Sequence, residues 1–334
     1  MQPRFSILIP VFNHGELLRY SLECVRRQTA TDWELFIIGD GATEKTEAVA
    51  REFAAKDARI TFVKHPKHES RGEPYRHELL TTRARGRFIC YSCDDDLWLP
   101  GHLEYMAELL ETSDWAHPLS CYLDEHQELQ VRPLDLQMPF YRTLMLGREN
   151  RIGLTSMAHT MEFYKRLPHG WRTTPEPWPT DHYMYQQFLQ MPKFKVMSGL
   201  RPTLLNFPDG FRKHYQPGQK LAELKYWFSR MQEQDFEQYL TEQLLHAAYR
   251  KTVELESELT ESRDEVLKHN GILKADYDGM KKNYEHYRND ARELRELAMR
   301  YQHDITVLQQ ALQEERYRRQ SESGSIWGRL FSGR

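Results

Sequence analysis

The sequence has no long hydrophobic run, no excess of positive charge and no recognisable pattern of a cleavable signal peptide at the given N-terminus. No stretch of about 18 apolar residues occurs among its 334 residues, which argues against a hydrophobic transmembrane helix. Lysine and arginine number 46 against 49 aspartate and glutamate, a net charge of −3, so we expect no nucleic-acid partner. The N-terminus enters a strand without a cleavable leader pattern, and we expect a cytoplasmic protein.

Cysteine is also scarce, with four residues in the chain. Cys90 and Cys93 form a CxxC pair, but a structural zinc site needs a second ligand pair, and none has suitable spacing. A redox CxxC normally opens a helix, whereas this one lies at a predicted strand end. We interpret the cysteines as packing thiols in a reducing compartment.

The most informative stretch is Arg87–Pro100, RFICYSCDDDLWLP. Residues Phe88–Tyr91 read as a short buried strand, and three carboxylates, Asp94–Asp96, follow it. Adjacent acids repel one another unless a cation or hydrogen-bond donors compensate them. Mg²⁺ and Mn²⁺ prefer oxygen ligands and are often held by carboxylates together with substrate phosphates. We therefore predict a metal–phosphate site, with an Asp-rich cap on a helix starting near Gly101 as the alternative.

Before this stretch, predicted strands and helices alternate, which indicates a parallel sheet with helices on both faces. Asp40 and Asp94 follow predicted strands, so they are expected to converge at one sheet edge. The predicted elements are strands at Phe5–Pro10, Trp33–Ile38 and Ile60–Val63 and helices at Glu16–Gln28 and Glu44–Lys56.

Four consecutive segments, FSILIPVFN, SLECVRRQT, DWELFIIGDGATE and ARGRFICYSCDDDLWLPGHL, resemble glycosyltransferase family 2 in order, spacing and neighbouring residues. The resemblance covers roughly the first hundred residues. It implies an α/β GT-A fold, with a Rossmann-like mixed sheet, over residues 1–216. It also implies inverting transfer of a sugar from a nucleotide-diphosphate donor, UDP- or dTDP-linked, to a hydroxyl acceptor.

The resemblance also implies roles for residues of the first hundred. Pro10 and Asp40 match positions that cradle the nucleotide base. Asp94 matches a ribose contact, and Asp95 matches a ligand of Mn²⁺ or Mg²⁺. Asp96 is a second candidate metal ligand, with capping of the next helix as its alternative.

Departures from the family pattern leave two other functional classes of protein open. Gly39 and Ala42 replace an Asp and a Ser of the family's second turn, and Cys93 stands where many members carry an Asp. A degenerate transferase domain acting as a coiled-coil scaffold is therefore one alternative. A sugar nucleotidyltransferase is another, although VFNHGELLR lacks the Gly-rich, Arg-containing loop that this class needs.

Three further residues are site candidates by the resemblance. Arg76 would meet the diphosphate, with a solvated basic helix face as its alternative. Asp181, after a loop rich in Pro and Trp, would be the general base, and a plain N-cap role is its alternative. Thr180 or Asp181 is the predicted N-cap of the helix that follows. His214 would complete the metal shell, and a surface-loop histidine is its alternative.

The C-terminal third has heptad spacing, with apolar residues every seventh position from Leu259 to Leu308. This pattern predicts a helical connector over 217–252 and a coiled coil over 253–320, forming a homo-oligomer. A helix folding back on the catalytic domain is the alternative.

The last segment, 321–334, combines a Gly/Ser linker with a basic, aromatic tail, which suggests peripheral contact with the inner membrane face and a glycan or lipid-linked acceptor. Docking of the tail on a partner and disorder of the tail are the alternatives. The family's polymerase motif QxxRW and membrane helices are missing, so we expect transfer of single sugars, with cell-surface polysaccharide assembly as the expected pathway.

Overall fold

The computed structural model describes residues 2–147, 149–269 and 274–331. The chain divides into two compact units, Met1–Thr252 and Val253–Arg334. The first unit contains every strand of the described chain, and the second is helical.

Eleven strands are described in the first unit. They are β1 (Phe5–Val11), β2 (Trp33–Asp40), β3 (Ile60–His65), β4 (Phe88–Tyr91), β5 (Leu97–Trp98), β6 (Trp115–His117), β7 (Cys121–Leu123), β8 (Leu129–Val131), β9 (Ala158–Thr160), β10 (Val196–Ser198) and β11 (Leu204–Leu205).

Ten α-helices are described over the two units. They are α1 (Gly15–Arg26), α2 (Glu44–Lys56), α3 (Glu73–Thr82), α4 (His102–Leu110), α5 (Pro139–Leu146), α6 (Met161–Arg166), α7 (Thr180–Gln190), α8 (Pro217–Arg230), α9 (Phe236–His269) and α10 (Lys274–Phe331).

Seven strands form the central sheet in the order β10-β6-β9-β4-β1-β2-β3. Strands β1 to β4 are parallel, with Phe5 opposite both Trp33 and Phe88, while β9 runs antiparallel to β4 and β6. The segments that follow β1, β2 and β4 therefore leave the sheet at the same edge. This mixed α/β sheet followed by long helices confirms the predicted fold class.

Both faces of the sheet are covered. In β1, Ile7 and Ile9 pack into one buried cluster, whereas Leu8 packs into a second cluster on the other face. This alternation follows from the two-residue period of a strand. The continuous apolar character of β1, β2 and β4 is what a parallel strand buried on both faces requires.

Local sequence explains most helix boundaries. At the start of α2, the side chain of Thr43 accepts a hydrogen bond from the Thr46 amide, and α2 has the predicted bounds. Helix α5 begins with Pro139. This proline lies in the first turn, where it loses no helical hydrogen bond.

The second unit contains the end of α9 and all of α10. The hydroxyl of Tyr284 in α10 donates a hydrogen bond to Glu256 of α9, so this part of α10 lies alongside α9. Four heptad residues of α10 are more than half exposed: Met280, Tyr287, Leu294 and Tyr301.

Some predictions for the C-terminal region fall outside the described residues. These include the heptad position Leu273 and the side chains of the aromatic tail, 326–331. Helix α10 continues through the segment that was predicted as a Gly/Ser linker. Within the described residues, the helices include none with the length and apolar character needed to cross a bilayer.

Candidate active site

An acidic turn follows strand β4 at the C-terminal edge of the parallel strands. The side chains of Asp94 and Asp95 are 13% and 18% exposed, and Asp96 is buried. Burial raises the pKa of the Asp95 carboxyl well above its usual range, and the charges of Asp96 and Asp94 raise it further. The turn therefore brings together carboxyl groups that resist ionisation on their own, and a bound cation would favour their ionised forms.

His14 supplies a partner for this turn. Its Nδ1 lies 3.1 Å from Oδ1 of Asp94 and 3.9 Å from Oδ2 of Asp95. The hydrogen bond to Asp94 outweighs the opposing effect of desolvation, and the pKa of His14 rises to about 9. His14 was not predicted from the sequence. It could have been found from the pairing of β1 with β4, because parallel pairing brings the turn after β1 beside the turn after β4.

Asp96 has a different environment from its two neighbours. Its Oδ1 accepts a hydrogen bond from the Phe207 amide at 2.8 Å, and its Oδ2 accepts bonds from the Asn206 side chain at 3.0 Å and from the Thr155 hydroxyl. Both oxygens are thus engaged within the protein. Metal ligation by Asp96 remains a prediction that competes with these bonds.

The ligand atoms near the turn form two groups. One consists of His14, Asp94 and Asp95, and the other of Cys93, Asp95 and Asp96. Burial raises the pKa of the Cys93 thiol well above its usual value, and a thiol sulfur is a softer donor than Mg²⁺ or Mn²⁺ prefers. The oxygen and imidazole donors of the first group fit a divalent cation.

His214, the predicted late metal ligand, lies elsewhere. Its side chain is exposed and packs edge-on against Tyr215, with ring centroids 5.0 Å apart. It belongs to neither group of clustered ligand atoms in the described part of the chain. Ligation by His214 stays a prediction.

Asp40 ends β2 at the same edge of the sheet, two strands from β4, and Pro10 lies near the end of the neighbouring strand β1, opposite Ile38. One oxygen of Asp40 accepts a bond from the Lys67 ammonium at 2.5 Å, and the other accepts one from the His68 amide at 2.6 Å. Gly72 closes over this pair with φ +65°, and a Cβ there would lie 3.1 Å from the Asp40 side chain. The 67–72 loop therefore covers Asp40.

Arg76 projects from α3 and is buried. Its guanidinium packs over the Trp171 ring at 5.0 Å, and its Nε and Nη1 find no hydrogen-bond acceptor among the described residues. Burial lowers the pKa of Arg76, whereas the negative charges of Glu73 and Asp181 act to raise it. Arg76 thus lies within electrostatic reach of the start of α7.

Asp181 occupies the first turn of α7. Its Oδ1 accepts a hydrogen bond from the His182 amide at 2.9 Å. Burial raises the pKa of Asp181, which makes its carboxylate a stronger base. The predicted N-cap was wrong, because Pro179 takes that position and the Thr180 hydroxyl points to Glu73 instead.

Glu73 ties the Pro-rich loop and α7 to α3. Its carboxylate is fully buried and accepts hydrogen bonds from the hydroxyls of Thr174 at 2.8 Å and Thr180 at 3.1 Å. The Ser70 hydroxyl and the Arg71 amide also donate to it, each at 3.0 Å. Desolvation alone would raise the pKa of Glu73, but these bonds prevail and the pKa is lowered. Glu73 is therefore a buried anion that fixes Thr180, next to Asp181.

A chain of hydrogen bonds runs from Trp171, which packs against Arg76, through Tyr91 to His159. Trp171 Nε1 donates to the Tyr91 hydroxyl, which lies 2.8 Å from Nε2 of His159. His159 Nδ1 lies 3.0 Å from the Thr160 carbonyl, which can only accept. Nδ1 of His159 therefore carries the proton and Nε2 accepts from Tyr91. Burial lowers the pKa of His159 to about 4, consistent with a neutral ring.

Comparison with known proteins gives a family match. Residues 6–167 match Glycosyl transferase family 2, which confirms the resemblance inferred from the N-terminal motifs. An uncharacterized glycosyltransferase of Methanocaldococcus jannaschii is 31% identical over 114 residues, which are 34% of this chain and 39% of that protein.

A second relative is the UDP-Glc:alpha-D-GlcNAc-diphosphoundecaprenol beta-1,3-glucosyltransferase of Escherichia coli. It is 28% identical over 105 residues, which are 31% of this chain and 40% of that protein. The chain thus spans less than half the length of either relative. Among solved structures, a mannosyltransferase of Pyrobaculum calidifontis in complex with GDP-Man and Mn²⁺ aligns over 81% of this chain and 82% of its own, with 14% identity and a TM-score of 0.45.

Proposed function

We propose that this chain, which carries a glycosyltransferase family 2 domain over residues 6–167, moves a sugar from a nucleotide-diphosphate donor to a hydroxyl acceptor with the help of Mg²⁺ or Mn²⁺. One observation carries the proposal. The buried cation Arg76, which lacks a hydrogen-bond acceptor on two of its nitrogens among the described residues, is in electrostatic reach of the carboxylates of Glu73 and Asp181. Arg76 and Asp181, about a hundred positions apart in the sequence, therefore border the same part of the proposed site.

The donor side of the proposed site is built from the acidic turn and Asp40. By the family pattern, Pro10 and Asp40 would contact the base and Asp94 the ribose. Contact between Asp40 and the base would require the 67–72 loop to give up its bonds to this side chain. Asp94 and Asp95 would hold the cation, which supplies Lewis-acid compensation for charge on the leaving diphosphate. The free guanidinium nitrogens of Arg76 suit a phosphate or a sugar hydroxyl, because a guanidinium offers donors in a fixed planar fork.

The acceptor side would be formed by Asp181. The acceptor hydroxyl would lose its proton to the Asp181 carboxylate as its oxygen attacks the anomeric carbon. A pKa raised by burial brings this base closer to neutral pH, where proton transfer is more effective. A single displacement of this kind needs no nucleophile from the protein and inverts the anomeric centre.

The acceptor class is inferred from the relative in Escherichia coli, whose name specifies a diphosphoundecaprenol-linked sugar. We propose a glycan or lipid-linked acceptor and a UDP- or dTDP-sugar donor. This assignment fits peripheral contact of the C-terminal tail with the inner membrane face, where such acceptors lie.

The C-terminal helices are proposed to assemble copies of the chain. Met280, Tyr287, Leu294 and Tyr301 recur every seven residues on α10 and are each more than half exposed. A heptad stripe of this kind is buried best by a second heptad helix. A second copy of this chain supplies one in matching register.

Donor consumption tests the function. Purified full-length protein with Mn²⁺ is incubated with a panel of UDP- and dTDP-sugars, and release of the nucleoside diphosphate is measured with and without lipid-linked acceptors. Loss of the base in Asp181→Asn should lower kcat by about 10²- to 10⁴-fold while donor binding persists. Asp95→Asn should instead weaken metal-dependent donor binding.

The scaffold alternative gives a different result. If wild type, Asp181→Asn and Asp95→Asn consume every donor at the same background rate, the domain is not a transferase, and the coiled-coil scaffold is favoured.

A further inference from the structure

The group formed by His14, Asp94 and Asp95 contains an imidazole nitrogen, whereas the acidic turn supplies only carboxylate oxygens. His14 comes from the turn after β1, while both acids come from the turn after β4. Its Nδ1 is 3.1 Å from Asp94 and 3.9 Å from Asp95, and the ligand atoms of all three residues lie within 4.8 Å of one another.

These separations can be compared with those around a single ion. Two ligand atoms, each about 2.1 Å from a metal, are about 3.0 Å apart when they are adjacent and about 4.2 Å apart when they are opposite. The distances from His14 to Asp94 and to Asp95 both fall inside this interval. The three side chains therefore need only small adjustments to share one ion.

The neighbouring candidates are less suitable. Cys93 offers a soft sulfur donor rather than the oxygen or nitrogen donors of the first group, and both oxygens of Asp96 accept hydrogen bonds from Thr155, Asn206 and Phe207. The His14 side chain is 27% exposed, so an ion and its remaining waters can reach it from solvent. His14 is thus the best-placed third ligand among the described residues.

We propose that His14 coordinates the divalent cation together with Asp94 and Asp95, and that its imidazole makes the site select transition-metal ions over Mg²⁺. Mg²⁺ binds oxygen ligands almost exclusively, whereas imidazole nitrogen favours the ions of the first transition series. This inference rests on the proposed function, because it identifies the ligands of the cation used in that reaction.

The test measures metal binding directly, with no sugar donor present. Full-length protein is loaded with Mn²⁺, and pulsed electron paramagnetic resonance detects the magnetic coupling of a directly bound ¹⁴N. We expect this coupling in wild type and its loss in His14→Asn and His14→Gln. Calorimetry should show Mn²⁺ and Co²⁺ dissociation constants at least about tenfold higher in these variants, with the Mg²⁺ constant changed by less than about twofold.

Two further variants make the result decisive. His214→Asn removes the alternative histidine, and the ¹⁴N coupling should remain in that variant. Asp95→Asn should abolish tight binding of all three ions. Circular dichroism and thermal melts without metal establish that each variant is folded.

Unchanged Mn²⁺ affinity and ¹⁴N coupling in both His14 variants would overturn the inference, as would loss of the coupling in His214→Asn alone. Tighter Mn²⁺ binding by the His14 variants would overturn it too, because His14 would then act as a competing cation. The proposed function fails separately, when donors are not consumed. A protein that binds Mn²⁺ through His14 but transfers no sugar refutes the function alone.

Discussion

Two threonine hydroxyls donate hydrogen bonds to the buried carboxylate of Glu73. Comparing variants of the two separates the positioning of Asp181 from the stability of the fold. Thr174 and Thr180 both donate hydroxyl hydrogen bonds to Glu73, at 2.8 Å and 3.1 Å. Thr174 lies in the loop before α7, whereas Thr180 is the first residue of α7, directly before Asp181. Valine is nearly the same shape as threonine but lacks the hydroxyl.

The expected stability loss is similar for the two substitutions. A hydrogen bond to a charged group contributes about 1.5–3 kcal/mol. Glu73 keeps three of its four donors in either variant, so we expect about 2 kcal/mol lost from each. For a unit of this size that loss lowers Tm by about 4–8 °C.

The expected effects on turnover differ. Thr180→Val releases the start of α7 and should lower kcat about tenfold, because a shift of about 1 Å in a catalytic group can cost as much as a hundredfold. Thr174→Val should change kcat by less than about threefold, since the bond between Thr180 and Glu73 remains.

The assay combines thermal denaturation with steady-state kinetics on the best donor and acceptor pair. Donor KM should stay near the wild-type value in both variants, because neither touches Asp40 or the acidic turn. Equal kcat values for the two variants at equal stability loss would refute a positioning role for the contact between Glu73 and α7.

Three further predictions concern pH, assembly and the tail. His159 has a pKa of about 4 when folded against an ordinary 6.5, so its neutral form stabilises the fold above pH 6.5, and this contribution is lost as pH falls. Between pH 7.5 and 5.5, wild type should lose about 1.4 kcal/mol more unfolding free energy than His159→Asn in denaturant titrations; equal losses would contradict this. Replacing both Tyr287 and Leu294 by Glu should convert an oligomer to a monomer, as measured by light scattering. The control Gln238→Glu, at an exposed site of the first unit, should leave the mass unchanged. A wild-type mass for the double variant would refute assembly through α10. Removing residues 321–334 should reduce flotation with anionic liposomes, and equal flotation would exclude membrane contact by the tail.

Local signals in the sequence were sufficient for much of the fold. Helix α2 and strand β4 have the predicted bounds, because the first has a threonine cap and the second is a continuous apolar run between Gly86 and the acidic turn. The mixed character of the sheet follows from β9, which is only three residues long and antiparallel to β4. A strand this short leaves a weak periodic signal, and its direction is fixed by pairing rather than by sequence pattern.

The candidate site was harder to predict from the sequence than the fold, because its contacts join residues that are far apart in the chain. Residues Asp94 and Asp95 stood out as a motif, but His14 needed the pairing of β1 with β4 to become visible. Likewise, Glu73 resembles any polar residue at a helix start until the structure brings Thr174 and Thr180 to it. Burial also changes the chemistry, since the raised pKa values of Asp95 and Asp181 depend on surroundings that no local pattern encodes.

The bonds of Asp96 have a consequence for biosynthesis and for truncation. The family match ends at residue 167, yet the Asp96 carboxylate is satisfied partly by Asn206 and Phe207. A fragment that stops at the end of the match would leave a buried acid short of two of its donors. On the ribosome, the acidic turn therefore reaches its final form only after residue 207 has emerged from the exit tunnel, and the smallest fragment worth expressing must extend beyond that residue.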